Sequence, residues 1–426
     1  MVDIIGQVKK AKEASLVLAS ARAEIKYLAL DNIARAIKKN KDKIIEENRK
    51  DVLEARKNKL SKSLLDRLIL NEKKIKEIVE MVEEVNRLED PVGKVMEKME
   101  LDTNLNLTKI TVPIGLIGAI FESRPDAAVQ ISSLCIKSGN AVILKPGKEA
   151  KNTCKLLVGL IKDSLQKSNL PKEAVQLIET REEVKEILKL HDFIDLLIPR
   201  GSNKFIKFIQ ENSKIPVLGH ADGICHVYVD KDADIEKAVK ICFDAKCQYA
   251  AVCNAMETLL VHKDIAEKFL PLIAEKYFKA GVGIKGDEEA RKIIKAEKAN
   301  EVDWKTEYND LIISIKIVNS VDEAMRHINK YGSKHTDAMV TENKETASAF
   351  LSKVDSSSVL HNCSTRFADG FRYGKGAEVG ISTSKIHGRG PLGLEGLVIY
   401  KYILKGDGHI VDDYCKGKKT FKHNKK

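Results

Sequence analysis

The sequence predicts an α/β fold: two domains in tandem, each a mostly parallel sheet with helices on both faces, plus a small β extension. Three observations carry the prediction. Short apolar, strand-like runs alternate with helix-patterned stretches beyond residue 112, the signature of repeated βαβ units. The alternation begins afresh near Asp230. A chain of 426 residues also exceeds what one hydrophobic core ordinarily organises.

The first ~90 residues read as helices, since 14–37 and 64–88 repeat apolar side chains every three to four positions with few glycines or prolines. Residues 101–112 change to alternation, with Leu105, Leu107 and Lys109 separated by Asn and Thr, as in a strand or hairpin arm. An apolar strand over 115–120 follows, then a helix to Lys137, a turn at Ser138-Gly139-Asn140 and a strand over 141–144. Helix 150–166, strand 174–178, helix 182–190, strand 193–198 and helix 204–212 complete the first series. The second runs through helix 235–243, strand 257–261, helix 265–280, strand 311–318 and helix 321–329. Succession of this kind implies parallel sheets. The apolar stretch 397–404 reads as a strand able to pair with the 101–111 arm.

Composition narrows the function. The longest apolar runs, such as 141–144, fall far short of the roughly 20 residues that cross a bilayer. The N-terminal residues lack the basic and apolar regions of a signal peptide, so a cytoplasmic protein is expected. Eight cysteines without a CxxC pair argue against a disulfide framework and against zinc-like spacing. The net charge of +11 is spread among interleaved acids and bases, as on solvated helix faces. Only 416–426 is a concentrated basic run, and it reads as a frayed tail. A basic enzyme acting on an anionic substrate with an anionic cofactor explains the sign without nucleic acid.

Several motifs carry chemistry, each beside a plainer reading. Gly281-Val-Gly-Ile-Lys-Gly286 matches GxGxxG but follows a helical stretch, where a dinucleotide fingerprint must follow a strand; a plain turn is expected. Lys145 ends a strand and points a cation out of the carboxyl edge of a parallel sheet, although a solvated lysine explains it equally. Arg200-Gly201-Ser202, between a strand and a helix, offers an anion site or an ordinary turn. Cys253 lies among Ala250, Ala251 and Ala255, which would let a substrate approach the sulfur; a buried structural thiol fits the local residues as well. His220, Asp222 and His226 lack tetrahedral ligand spacing, so no metal site is expected; His226 reads as a hydrogen-bonded strand histidine.

Taken together, Phe121-Glu-Ser-Arg-Pro125, the stretch from His220 to Asp230, Val252-Cys-Asn-Ala-Met-Glu-Thr-Leu-Leu260, Gly376-Ala-Glu-Val-Gly-Ile-Ser-Thr383 and Gly390-Pro-Leu-Gly-Leu-Glu-Gly396 resemble the γ-glutamyl phosphate reductase branch of the aldehyde dehydrogenase superfamily. The resemblance covers nearly the whole chain. It implies an aldehyde-dehydrogenase-like fold with two Rossmann-like domains and a small β oligomerisation arm. It also implies NADPH-dependent reduction of L-glutamyl 5-phosphate to L-glutamate 5-semialdehyde with release of phosphate. Cys253 resembles the nucleophile, with Asn254 beside it; Lys145 and the Arg200-Gly201-Ser202 turn resemble cofactor-binding positions, and Glu307 the residue that holds the nicotinamide ribose. Arg124, Ser364, Thr365 and Arg366 are the candidates for binding the substrate phosphate and carboxylate.

Two departures from the wider superfamily have physical content. The glutamate that activates water in hydrolytic relatives falls on or near Gly219, which has no base, and this favours reduction over hydrolysis. NAD-preferring relatives place a glutamate three residues after the strand-end lysine; here Lys148 stands there, a cation suited to a 2′-phosphate. The superfamily's oxyanion-hole asparagine falls near Glu122, so that donor is unassigned. The implied division is 1–100 with 112–230 for the NADPH domain, 231–388 for the catalytic domain, 101–111 with 397–410 for the arm, and 411–426 for the tail. A homo-oligomer is expected, with possible coupling to the kinase that makes the unstable substrate. Rival readings are another semialdehyde or CoA-acylating dehydrogenase, a non-catalytic scaffold and a nucleic-acid-binding protein.

Overall fold

The computed structural model describes residues 3–201, 203–220 and 222–425, in two compact units. The first runs to Leu218 and takes in Lys375–Gly380 and Leu392–Lys426; the second comprises Gly219–Gly374 and Ile381–Pro391.

The first unit opens with α1 (Ile4–Ala19), α2 (Ala23–Lys39), α3 (Lys41–Lys57), α4 (Lys62–Leu68) and α5 (Glu72–Arg87). The expected helix 14–37 is therefore interrupted: Ser20 turns its N–H and hydroxyl back onto Val17 O, at 3.2 and 3.0 Å, and closes α1. The expected helix 64–88 is interrupted too. Buried Asn48 donates from Nδ2 to Leu68 O (2.9 Å) and accepts at Oδ1 from Leu70 N (2.7 Å), which satisfies backbone groups the break would orphan. Asn71 then caps α5 by accepting from Lys74 N.

An antiparallel hairpin follows, β1 (Val95–Asp102) and β2 (Leu105–Pro113), with Asn104 at φ 64° in its tip. The chain then runs β3 (Leu116–Phe121), α6 (Pro125–Lys137), β4 (Ala141–Lys145), α7 (Lys151–Lys167), β5 (Val175–Leu177), α8 (Arg181–Ile187), β6 (Leu196–Arg200) and α9 (Asn203–Asn212). These strands pair in parallel in the order β5-β4-β3-β6. Three strands step one way and β6 crosses to the other side of β3, so the topological switch point lies between the carboxyl ends of β3 and β6.

The second unit contains β7 (Cys225–Val229), α10 (Ile235–Cys247), β8 (Met256–His262), α11 (Lys263–Lys279), β9 (Gly283–Gly286), α12 (Glu288–Ile293), β10 (Glu297–Lys298), β11 (Ile312–Val318), α13 (Val321–Tyr331), β12 (Thr336–Val340), α14 (Lys344–Lys353) and β13 (Ser358–His361). Its parallel sheet has the order β10-β9-β11-β8-β7-β12-β13. Because β7 is held between β8 and β12, the division falls before it, between Leu218 and Gly219 rather than near Asp230. In the GxGxxG stretch, Gly281 (φ 76°) turns the chain after α11 and the remainder forms β9, paired to β11.

Beyond the short ladder of β14 (Gly380–Ser382) with β15 (Gly390–Leu392), β16 (Val398–Lys405) pairs antiparallel with β2, from Val398↔Pro113 to Lys405↔Asn106. The arm sheet, β16-β2-β1-β17, thus also includes β1, most of which the sequence left with the NADPH domain. The tail is not frayed. It forms α15 (Val411–Cys415), stacks Phe421 on Tyr414 with centroids 4.2 Å apart, and pairs β17 (Asn424–Lys425) with β1.

Candidate active site

In the first unit, cations gather at the carboxyl edge of the parallel sheet. Lys145, half-buried, ends β4 opposite Ile120 of β3, and Arg200 ends β6 opposite Phe121. Arg200 donates from Nη1 to Gln130 Oε1 at 3.4 Å. Gly201 follows, and α9 opens at Asn203 with no acidic residue in its first turn; Ser202, expected in this loop, lies outside the described residues. A Cβ on Gly201 would come within 2.8 Å of Glu122 Oε2 and 3.2 Å of the Phe205 ring, so a larger residue fits here only if those side chains shift.

Glu149 laces two loops of this edge together. Its Oε1 accepts from Ser123 N (2.6 Å) and Ser123 Oγ (2.7 Å), holding Ser123 in the left-handed region at φ 46°. Lys148, beside it, is exposed. Two lysines, an arginine and a helix start without acids form a donor set suited to the phosphates of a dinucleotide. Arg124 precedes α6 and forms an ion pair with Asp126 at 2.8 Å. Burial pushes the Asp126 carboxyl up, but Arg124 and Arg200 more than reverse it, and the net shift is downward.

In the second unit, Cys253 sits half-buried on the turn between α10 and β8, which Ala255 N closes onto Val252 O at 2.9 Å. Gly223 packs directly under it: a Cβ there would lie 2.3 Å from Cys253 O and 2.7 Å from Glu307 Oε1. The strand order therefore brings Glu307, half-buried, beside the backbone of Cys253. Arg366 is buried and donates from Nε to Gln248 Oε1 at 2.9 Å. Burial, helped by Arg372, lowers the Arg366 guanidinium from the ordinary arginine range, while Cys253 pulls it back up.

Ser364 and Thr365 are buried on the same turn; Ser364 Oγ accepts from Arg366 N at 3.3 Å, and Thr365 Oγ1 has no partner. Asn254 is buried, and its Nδ2 donates to Ala368 O at 2.9 Å, which fastens the Cys253 turn to the segment carrying Arg366. His226 is the strand histidine anticipated, with Nδ1 2.9 Å from Asp337 Oδ1.

Two groups near the sulfur were not legible as such. One ring nitrogen of His220, one of His335 and the Cys253 sulfur lie within 4.8 Å of one another. Gly219 supplies no base, as its residue type requires, but the next residue brings an imidazole close to the sulfur. Below the turn, Lys246 of α10 and Glu257 of β8 form a wholly buried ion pair at 2.7 Å. Burial pushes the Glu257 carboxyl up to about 7 despite Lys246.

The family model described as the aldehyde dehydrogenase family matches residues 2–309. The γ-glutamyl phosphate reductase of Acetivibrio thermocellus is 55% identical over 414 residues, covering 97% of this chain and 96% of its own. The crystal structure of γ-glutamyl phosphate reductase from Thermotoga maritima superposes with a TM-score of 0.93 at 42% identity, covering 96% of this chain and 99% of that one. A glyceraldehyde-3-phosphate dehydrogenase of Methanocaldococcus jannaschii, solved in complex with NADP, shares the fold at 18% identity and a TM-score of 0.69, over 95% of this chain and 94% of that one.

Proposed function

The chain belongs to the aldehyde dehydrogenase family, and from that membership we propose that it reduces L-glutamyl 5-phosphate to L-glutamate 5-semialdehyde with NADPH, through a thioacyl enzyme on Cys253. This is the second step of proline synthesis from glutamate. The observation that carries the reading is the half-buried Cys253 on an alanine-flanked turn, which the Asn254 Nδ2 bond to Ala368 O (2.9 Å) fastens to the segment carrying the buried Arg366.

The chemistry follows from the groups present. The Cys253 thiolate attacks the acyl carbon; a C–S bond forms, the C–O bond to phosphate breaks, and phosphate leaves with the electron pair. Phosphate is a good leaving group and needs little acid assistance, so a cation to receive it matters more than a proton donor. Arg366 and Arg124 are assigned to the substrate's anionic ends, with Ser364 and Thr365 as hydrogen-bonding neighbours. When bound, the reduced nicotinamide supplies the hydride that turns the thioester into a thiohemiacetal, which collapses to the aldehyde and regenerates the thiolate. Lys145, Arg200, Gly201, Ser202 and the start of α9 would hold the cofactor phosphates, Lys148 would favour a 2′-phosphate, and Glu307 would accept from the ribose hydroxyls. Asn254 holds the nucleophile's turn in place. The first unit thus carries the candidates for the cofactor phosphates, and the second carries the covalent step together with Glu307. The arm sheet serves self-association.

The reverse reaction tests this. Glutamate 5-semialdehyde and NADP⁺ should yield NADPH only when inorganic phosphate is present, and NAD⁺ should serve poorly. NADPH formation without phosphate would replace the proposal with an aldehyde dehydrogenase whose thioester is resolved by another acceptor.

A further inference from the structure

His220, Cys253 and His335 come from three separate stretches of the second unit: the segment before β7, the turn before β8 and the residue that leads into β12. The thioester chemistry above uses only the cysteine. Yet one nitrogen of each ring and the sulfur lie within 4.8 Å of one another. The two rings meet edge to face, with centroids 4.6 Å apart and an interplanar angle of 76°.

The state of each ring is informative. His335 is wholly buried; its Nδ1 lies 2.9 Å from Thr336 Oγ1, while Nε2 has no hydrogen-bond partner. Among the described residues His226 and His327 share such an unmet Nε2, and His335 is the one whose ring lies beside the Cys253 sulfur. The His220 Nδ1 lies 2.8 Å from Ile381 O, and because a carbonyl can only accept, Nδ1 carries the proton. A backbone carbonyl behind one nitrogen is how metal-binding histidines are commonly oriented.

We propose that His220, Cys253 and His335 form a binding site for a divalent cation of the zinc class, held by one thiolate and two imidazoles, whose occupancy blocks acylation of Cys253. The donor set selects the ion. Sulfur and imidazole suit Zn²⁺ and its neighbours, whereas Mg²⁺ and Ca²⁺ require oxygen ligands that this triad lacks. Zinc bonds of about 2.0–2.3 Å place tetrahedral ligand atoms roughly 3.3–3.8 Å apart. A spread within 4.8 Å closes to that range by rotation of Cys253, which is half-buried on a turn. Three protein ligands leave the fourth position to water. Binding of the ion needs only this geometry; its inhibitory consequence rests on Cys253 being the nucleophile.

Cobalt(II) tests the site without relying on activity. The full-length protein, freed of metal with a chelator, is titrated with Co²⁺ and then with Zn²⁺. One equivalent of Co²⁺ should give a thiolate charge-transfer band and tetrahedral d–d bands, and Zn²⁺ should bleach both. Cys253→Ser should remove the charge-transfer band, and His220→Asn and His335→Asn should each weaken Co²⁺ by at least about tenfold. Zn²⁺ should also protect Cys253 from alkylation, reversibly with chelator. No charge-transfer band at stoichiometric Co²⁺, or one that survives Cys253→Ser or both histidine changes, overturns the site. Should His335→Asn fail to fold, as its circular dichroism would reveal, the less buried His220→Asn decides the matter. A cobalt spectrum alongside a failed reverse assay would leave the site standing and remove the assigned reaction, and the opposite pair would do the reverse.

Discussion

The Cys253 sulfur depends on its neighbours at a spacing of a few ångströms, and Gly223 sets that spacing. A methyl group at Gly223 would stand 2.3 Å from Cys253 O and 2.6 Å from Cys253 Cα, so the nucleophile's backbone must move. Displacement of a reacting atom by an ångström costs on the order of 10²-fold in rate. Gly223→Ala should therefore lower kcat by about that factor, measured by single-turnover stopped flow, while the circular dichroism spectrum stays unchanged. Cys253→Ala should remove turnover by at least about 10³-fold while cofactor affinity, read by fluorescence titration, is preserved. Lys148→Glu should cut kcat/KM with NADPH by roughly 10–100-fold and leave NADH nearly unaffected, because it exchanges a charge partner of the 2′-phosphate for a repulsive one. Equal losses with both cofactors would remove Lys148 from that role. At this scale the sequence was partly legible. Small residues around Cys253 and long family-like stretches pointed to it, but the acceptor that holds Asn254 is Ala368 O, 114 residues away, and no local pattern encodes such a partner. His335 was overlooked for the same reason: only the parallel pairing of β12 with β7 brings it to the site.

Among the elements, α10 and β8 carry the nucleophile's turn between them, and the Lys246–Glu257 pair pins one to the other inside the core. Glu257 has its carboxyl raised from 4.5 to about 7, chiefly by burial. A folded-state value above the unfolded one means the folded protein binds the extra proton between those limits. The contribution to stability is then fully present below about 4.5 and is lost as pH rises through about 7. Urea unfolding should accordingly show wild-type stability falling across this window relative to Glu257→Gln, which carries no such proton. A difference between the two that is flat from pH 5 to about 7.5 would mean the pair titrates elsewhere. The elements themselves were legible where strand and helix periods alternated, as in β3–α6–β4, because both strands are buried and apolar up to the terminal Lys145. The helix interruptions after Ala19 and Leu68 were not, because the periodicity runs on through them. The second depends on Asn48, which offers its amide to Leu68 O and Leu70 N from another helix.

At the scale of the molecule, the arm and tail bring charge and exposed apolar side chains together. The basic tail is answered locally: Lys416 pairs with Asp412 at 2.7 Å, Lys418 with Asp413 at 3.6 Å and Lys422 with Asp102 at 3.3 Å. A run of lysines in the sequence looked like a solvated end because all of these acids lie outside the run. By contrast, β16 is an edge strand that leaves Tyr400, Tyr402 and Leu404 at least half exposed along one face. An apolar edge strand in a single chain invites pairing with another sheet. If the arm serves self-association, wild-type protein should sediment as a multiple of the 47.5 kDa chain. The double change Tyr402→Glu and Leu404→Glu, which sets charges on that face, should weaken association by at least about 10²-fold. Sedimentation velocity across a concentration series measures this, and an unchanged distribution would place the subunit contact elsewhere. The same variant separates arm from site: cobalt binding at Cys253, which draws on second-unit residues alone, should keep its affinity while the assembly comes apart.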